Sequence, residues 1–485
     1  MSNLSELLPT GGGQNAVDFV ASGTLSSGQT VALKSDGTVE AVASTGGALS
    51  VGTAVVFEAA ALATTDASSV AFDSSNNKIV IVYRDEGNSS YGTAIVGTVS
   101  GTSISFGTPV VFFTSAVNFG SRALTFDSAN NKVVVAFRRN SNLYGYAMVG
   151  TVSGTSISFG FSAIFESATT YNIESAFDSN SNKTVIIYRD NGNSDYGTAV
   201  VATVSGTSIS FGSPVVFNSA LSIGQCVFDS SNNKIVIAYY DGGNSGYGTS
   251  IVGTVSGTSI SFGSATVFKS AASNPISLGF DSTSNKAVIA YKNSSPNTLN
   301  SVVGTVSGTS ISFGSETSIG SIDSNSVSVT YDSSVDKTVV FYNDNGSSYS
   351  GSAVVGTVSG TSISFDTPVA FSGVQTYALS STFDSNENKV VAIYTDANNS
   401  SYGTSAVVTT SGSNFADFIG ITADSIADTA TGTVNVYGGI NEAQTGLTIG
   451  SDYYVQVDGS ISTTASAVKI GQAISATTIN MMDLT

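Results

Sequence analysis

The ten residues TVSGTSISFG stand unchanged at 98–107, 151–160, 203–212, 254–263 and 305–314, and return at 357–366 with Asp366 in the last place. A second landmark accompanies them: an aromatic residue, then Asp-Ser, with Lys five positions after the Asp. Its aspartates are Asp73, Asp127, Asp178, Asp229, Asp281, Asp332 and Asp384, spaced by 54, 51, 51, 52, 51 and 52 residues. Seven units of about 51 residues therefore run from residue 53 to residue 415, and a period of that size marks repeat architectures.

The third unit reads SAIFES, ESAFDSNSNK, TVIIYRD, NGNSDYGTAVVATVSG and TSISFG. The runs AIF, TVIIY and TAVVATV are rich in β-branched and aromatic residues, and each is bounded by Gly, Asn, Asp or Ser, which predicts about four strands per unit. DSNSNK suits a hairpin, because Asn and Asp tolerate positive φ and hydrogen-bond their own backbone; VSGTS suits a second tight turn. Four strands in about 50 residues, seven times over, predict an all-β fold with a seven-bladed β-propeller, a β-solenoid being the runner-up. The segment 36–57 can be laid on 91–112, while the seventh unit degenerates at SAVVTTSGSNFADFIG, so the N-terminal stretch is expected to complete the last blade and close the ring.

Residues 1–52 and 416–485 resemble each other. GTLSSGQTVALKSDGTVEA from Gly23 and GLTIGSDYYVQVDGSIST from Gly446 share the spacing of Leu25 to Gly28 and of Leu447 to Gly450, and both lead into an Asp-Gly turn, Asp36-Gly37 and Asp458-Gly459. Both ends are expected to build one small all-β module into which the propeller is inserted.

Composition excludes several chemistries. Among 485 residues there is no His and no Trp, which removes the usual general base near neutral pH, the Ser-His and Cys-His nucleophiles and the commonest metal ligand. The formal net charge of −18 disfavours nucleic acid and anionic membrane surfaces. The one cysteine, Cys226, lies in an apolar stretch and reads as a buried small hydrophobe. The chain shows no signal-peptide pattern and no apolar run of spanning length, so no classical secretion and no membrane insertion are expected.

The FDSxxNK and VGTVSGTSISFG segments resemble propeller-repeat virion proteins of tailed bacteriophages, marine ones especially. The terminal pieces, SGTLSSGQTVALKSDGTVEAV and GLTIGSDYYVQVDGSISTTASAVKIGQAISATTI, are similar to modules of tail-fibre and capsid-decoration proteins. The resemblance implies a virion protein assembled in the host cytoplasm, contacts with other capsid or tail proteins through the terminal module, and a homo-oligomer. It supplies no catalytic residues.

For ligand binding the signal is variation inside the chain. The connections EAAALATTD, FTSAVNFGSR, ESATTYNIE, NSALSIGQ, KSAASNPIS, SIDSNSVS and SGVQTYALS differ in every unit, and in a propeller they share one face with turns such as DNGNSDYG and DANNSSYG. Tyr91, Tyr171, Asp190, Tyr196, Asp241, Tyr247, Tyr377 and Asp396 are the candidate residues of that face. Asp, Asn and Ser oxygens in these turns can ligate Ca²⁺, although the alternating carboxylates of an EF-hand are missing and an Asx turn with Tyr beside it is the simpler reading. The Asp and Lys of FDSxxNK, including Lys78, Lys132 and Lys389, would make an anion ring or, more simply, cap and cross a turn. No paired acids for glycoside cleavage stand out. These features predict a non-enzymatic fibre or appendage protein that attaches to a host-surface glycan or protein; the alternative is a capsid decoration protein that stabilises the shell without receptor binding.

Overall fold

The computed structural model describes residues 15–481 except 35, 43–48, 63–67, 121, 411–416, 457–458 and 467. The chain divides into two compact units, Leu49–Thr410 and a second built from Met1–Ala48 with Ser411–Thr485. Among the described residues the structure is almost all strand and turn, with short 3₁₀ turns such as Glu86–Asn88 and Asn191–Asn193.

In the repeat region every unit is an antiparallel meander. In unit 3 the innermost strand is Thr170–Asp178, followed by Lys183–Asp190 and Tyr196–Ser205. The outer edge has two pieces: Ser208–Phe211 pairs with one half of Tyr196–Ser205, and the start of Val215–Asp229 pairs with the other half. From Ser222 that same strand pairs with Lys234–Asp241 of unit 4, so it leaves as the outer strand of one blade and enters as the innermost strand of the next. This corrects the reading of AIF as the first strand of its own unit. Ala163–Glu166 pairs with Gly145–Ser153 and completes the preceding blade. It also shows that some variable connections are not loops, since Val215–Asp229, Thr266–Asp281 and Val369–Asp384 are continuous strands. Shared strands join the repeats into three hydrogen-bonded sheets rather than seven.

The innermost strands pack on one another in sequence order, and the strand ending at Asp384 packs on Ser68–Asp73 of unit 1. The last blade takes its outer pieces from the N-terminal side: Leu49–Val51 and Val55–Ala61 pair with Tyr402–Thr410. Val51 faces Val408 as Phe106 faces Gly97, and Val55 faces Ser405 as Val110 faces Ala94.

Burial explains the apolar runs. In Lys78–Asp85 every residue from Ile79 to Tyr83 is buried, because both faces of the strand are covered. Val80 and Val82 pack with Val133 and Val135 of unit 2, while Ile79 and Ile81 pack with Val391 and Ile393 of unit 7. A comparable apolar cluster fills each further junction between neighbouring units. Each fully buried Val or Ile contributes about 1.5–3 kcal/mol relative to exposure, so the junctions between units carry most of the core.

The terminal unit holds two five-stranded sheets. In the first, Ala16–Val20, Thr431–Val436, Phe418–Thr422, Thr30–Leu33 and Val39–Ala41 lie side by side, strands of both chain ends interleaved. The second is C-terminal alone, with Asp452–Val455 and Ile461–Ser462 as a hairpin. Its turn matches the N-terminal one: Gln456 N donates to Ser460 O at 2.8 Å as Lys34 N donates to Thr38 O at 2.8 Å. Asp458 lies outside the described residues.

Candidate functional site

In the repeat unit all innermost strands begin, and all second strands end, on one face, the entry face. The opposite face carries the FDSxxNK hairpins. There each landmark Asp accepts backbone N–H groups two or three residues on; Asp178 accepts from Asn180 at 2.9 Å and Ser181 at 3.0 Å. The residue before each Lys has positive φ, 52° to 57°, at Asn77, Asn131, Asn182, Asn233, Asn285, Asp336 and Asn388. These groups hold turns, as their sameness in every unit requires.

The entry face carries all eight sequence candidates. Asp190 faces Tyr196, Asp241 faces Tyr247 and Asp396 faces Tyr402 across the second and third strands, and Tyr91 faces Asp85 in the same way. The three candidate carboxylates are engaged in their own turns. Asp190 accepts from Asn193 N at 3.1 Å, Asp241 from Gly243 N at 3.0 Å, and Asp396 from Asn398 N at 3.0 Å. Burial pushes the carboxyl of Asp190 above its ordinary value, with Glu166 adding to the shift. Among the described residues no group of three Asp, Glu or Cys side chains is placed to hold a metal ion.

At the centre of this face lies a cavity of about 400 Å³. One segment from every unit lines it, each four to seven residues before the landmark Asp: Ser68, Gly120, Asn172 with Glu174, Ile223 to Gln225, Asn274 to Ile276, Asn325 to Val327, and Tyr377 to Leu379. The wall therefore alternates amides and hydroxyls with aliphatic surface. Of the eight candidates only Tyr377 reaches it; Tyr171 sits one residue from Asn172, and the others stand further out.

Polar bonds between neighbouring units hold this wall. Ser277 Oγ donates to Gln225 Oε1 at 2.9 Å, Val329 N to Ser277 Oγ at 3.0 Å, and Leu379 N to Ser326 Oγ at 2.9 Å. Arg122 of unit 2 donates from Nη2 to the carbonyl of Val329 in unit 6, a non-neighbouring unit, so its guanidinium crosses the axis. The Arg122 backbone N–H donates to Glu174 Oε2 at 2.7 Å, and burial holds the guanidinium below its ordinary pKa, opposed by Glu174. Cys226 is buried close by, its thiol pushed well up by burial and by Glu174.

Sequence reading missed Arg122, Asn172, Glu174, Gln225, Asn274 and Asn325 as site residues. They were inside the variable segments, and the available signal was a polar residue four to seven positions before the landmark Asp, where an innermost strand would otherwise be apolar.

No family model matches the chain, and no curated protein matches its sequence. Solved structures do match. A BP39L lectin from Burkholderia pseudomallei superposes with a TM-score of 0.52 at 12% identity over 72% of this chain and 97% of that one. The periplasmic gluconolactonase of Pseudomonas aeruginosa gives 0.47 at 11% identity over 73% and 96%, and the Aleuria aurantia lectin in complex with α-methyl-L-fucoside 0.42 at 11% over 64% and 98%. At these identities the first likeness is one of fold alone: the repeat region is folded as a β-propeller. No helix among the described residues is long and apolar enough to cross a membrane.

Proposed function

We propose that this chain is a non-enzymatic virion protein of a tailed bacteriophage whose repeat region, a closed seven-bladed propeller, binds a host-surface glycan through its entry face. The terminal module attaches it to other virion proteins. The observation that carries the reading is the axial cavity: every unit contributes to it the very segment in which otherwise near-identical units differ. A cavity of about 400 Å³ lies in the usual range of small-ligand sites, and a wall of amides and hydroxyls broken by Ile, Pro and Tyr offers the hydrogen bonds and apolar contact that a sugar ring needs. The likeness of fold to a lectin supports the same reading, and the phage resemblance of the repeat and terminal motifs supports the virion part.

The test is binding of the labelled full-length chain to an array of host surface polysaccharides. Asn274→Ala and Tyr377→Ala, both in the cavity wall, are each expected to weaken binding about tenfold, the loss of about 1.4 kcal/mol. Undiminished binding by both variants would remove the cavity from the site, and an empty array would remove the glycan. Gold-labelled antibody on purified particles checks the virion assignment. Particles that lack the protein and adsorb normally but break down sooner would point to a decoration role instead.

A further inference from the structure

The chain has five arginines, Arg84, Arg122, Arg138, Arg139 and Arg189, and all fall in units 1 to 3. Arg84, Arg138 and Arg189 hold one place in three successive units, directly after the buried ring of Tyr83, Phe137 or Tyr188. The other units have Tyr240, Lys292, Asn343 and Thr395 there. Arg139 takes the next place, where five units carry Asp85, Asp190, Asp241, Asp344 and Asp396, and unit 5 carries Asn293. A second acid is replaced at unit 2 as well. Tyr83 and Tyr188 donate to the carboxylates of Glu58 and Glu166 at 2.8 and 3.0 Å, whereas Phe113 stands in the corresponding place against Phe137, their ring centroids 4.8 Å apart. Asp to Arg and Glu to Phe together make this sector three charges more positive than its neighbours in units 1 and 3.

Arg84, Arg138 and Arg189 belong to one connected network, which Arg138 Nη2 enters by donating to Asn140 Oδ1 at 3.5 Å. Arg84 Nη1 donates to Asn118 Oδ1 at 2.8 Å, and Asn140 Nδ2 donates to the same oxygen at 3.4 Å. The guanidiniums of Arg138 and Arg189 lie 4.6 and 5.2 Å from the centroid of the Tyr171 ring. Arg84 is balanced by Glu86 and Arg189 by Asp195. Arg139 bonds Ser115 Oγ at 3.3 Å and has no carboxylate within ion-pair distance among the described residues. All of these side chains are half-buried, so part of each faces solvent.

We propose that this sector binds an anionic polysaccharide, with carboxylate or sulfate groups held by Arg138 beside the Tyr171 ring and by Arg139 on the other face of the same strand, against Phe113. Guanidinium presents paired N–H groups that match both oxyanions and stacks on aromatic faces, which lysine does not do. A net charge of −18 repels such a ligand from the chain as a whole, so the clustered arginines are where attraction is expected. The inference rests on the glycan reading and names its ligand class.

The experiment measures binding of the full chain to immobilised alginate, a polyuronate; carrageenan, a sulfated galactan; and dextran, a neutral glucan. Saturable binding to alginate or carrageenan, weakened by added salt, is expected, and the arm that responds identifies the group recognised. Arg139→Asp installs the residue that five sister units carry at this turn, so the fold should persist, as a thermal melt would verify. That variant and Arg138→Gln should each weaken binding at least about tenfold, while Lys132→Gln on the opposite face leaves it unchanged. Wild-type affinity in both arginine variants overturns the proposal. Binding to dextran or neutral host glycans alone overturns it and leaves the glycan reading standing, whereas binding to no glycan at all overturns both.

Discussion

At the scale of single residues, the entry face is held at an electrostatic cost. Asp190 is buried, and its carboxyl sits above the ordinary 3.8 because burial, and after it Glu166, disfavours the charge; the N–H groups of Asn193 and Gly192 oppose this. The folded state therefore takes up a proton at higher pH than the unfolded state does. At neutral pH the ionised group works against folding, and stability is regained as pH falls through the folded pKa. Asp190→Asn keeps the acceptor oxygen for Asn193 N and removes the charge. Its melting temperature is expected to exceed the wild type's at pH 7, and the difference to vanish once the pH falls below 3.8, where the carboxyl is protonated in both states. Thermal melts of both proteins across that range check the sign. The identity of Asp190 as a turn residue was legible in DNGNSDYG; its burial was not, because it depends on what the neighbouring strands place over it.

At the scale of the element, the sequence TVSGTSISFG contains two glycines kept for different reasons. Gly101 and its counterparts take φ near +60° at the first central position of a two-residue hairpin, as a II′ turn demands, and a Cβ there would meet open space. Gly107 lies against the next unit: a Cβ would come to 2.0 Å from the Thr155 carbonyl oxygen, a backbone atom that cannot rotate away. Gly160, Gly212, Gly263 and Gly314 repeat this contact with the following unit, and Gly52 makes it with Thr102. Asp366 replaces the glycine in unit 6, where the next unit reads TTSGSN in place of TVSGTS. Gly101→Ala should thus cost about 1 kcal/mol through backbone conformation, and Gly107→Ala clearly more, about 2 kcal/mol or above, through a clash that must move a strand. Denaturant melts of the two variants test the order; equal losses would refute the contact. The hairpin could be read from the motif, but a single chain of letters does not say that its final glycine serves the neighbouring blade.

At the scale of the whole repeat region, stability depends on the last blade. Tyr402–Thr410 finds its outer partners in Leu49–Val51 and Val55–Ala61, more than 340 residues earlier in the chain, for instance Val408 with Val51. Without them that strand presents an unpaired edge, which invites association with other chains. A variant lacking residues 1–61 is expected to unfold at lower temperature and to aggregate on heating, in contrast to one lacking only residues 1–14. Scanning calorimetry and light scattering would show it, and indistinguishable melts would argue against this closure.

The amino-acid sequence by itself determined the number of repeats, the strand and turn type within each, and the terminal hairpins, because these depend on local periodicity and on residues that tolerate positive φ, such as Asn182 and Gly154. It also marked the variable segments. Tertiary structure decided where each blade begins, since Ala163–Glu166 could pair forward or back and only sheet assembly selects the preceding unit. It also decided which variable residues meet at the axis and that Arg122 reaches Val329 across it. Those choices depend on contacts between units far apart in the chain, where burial and backbone pairing act together and local sequence is silent.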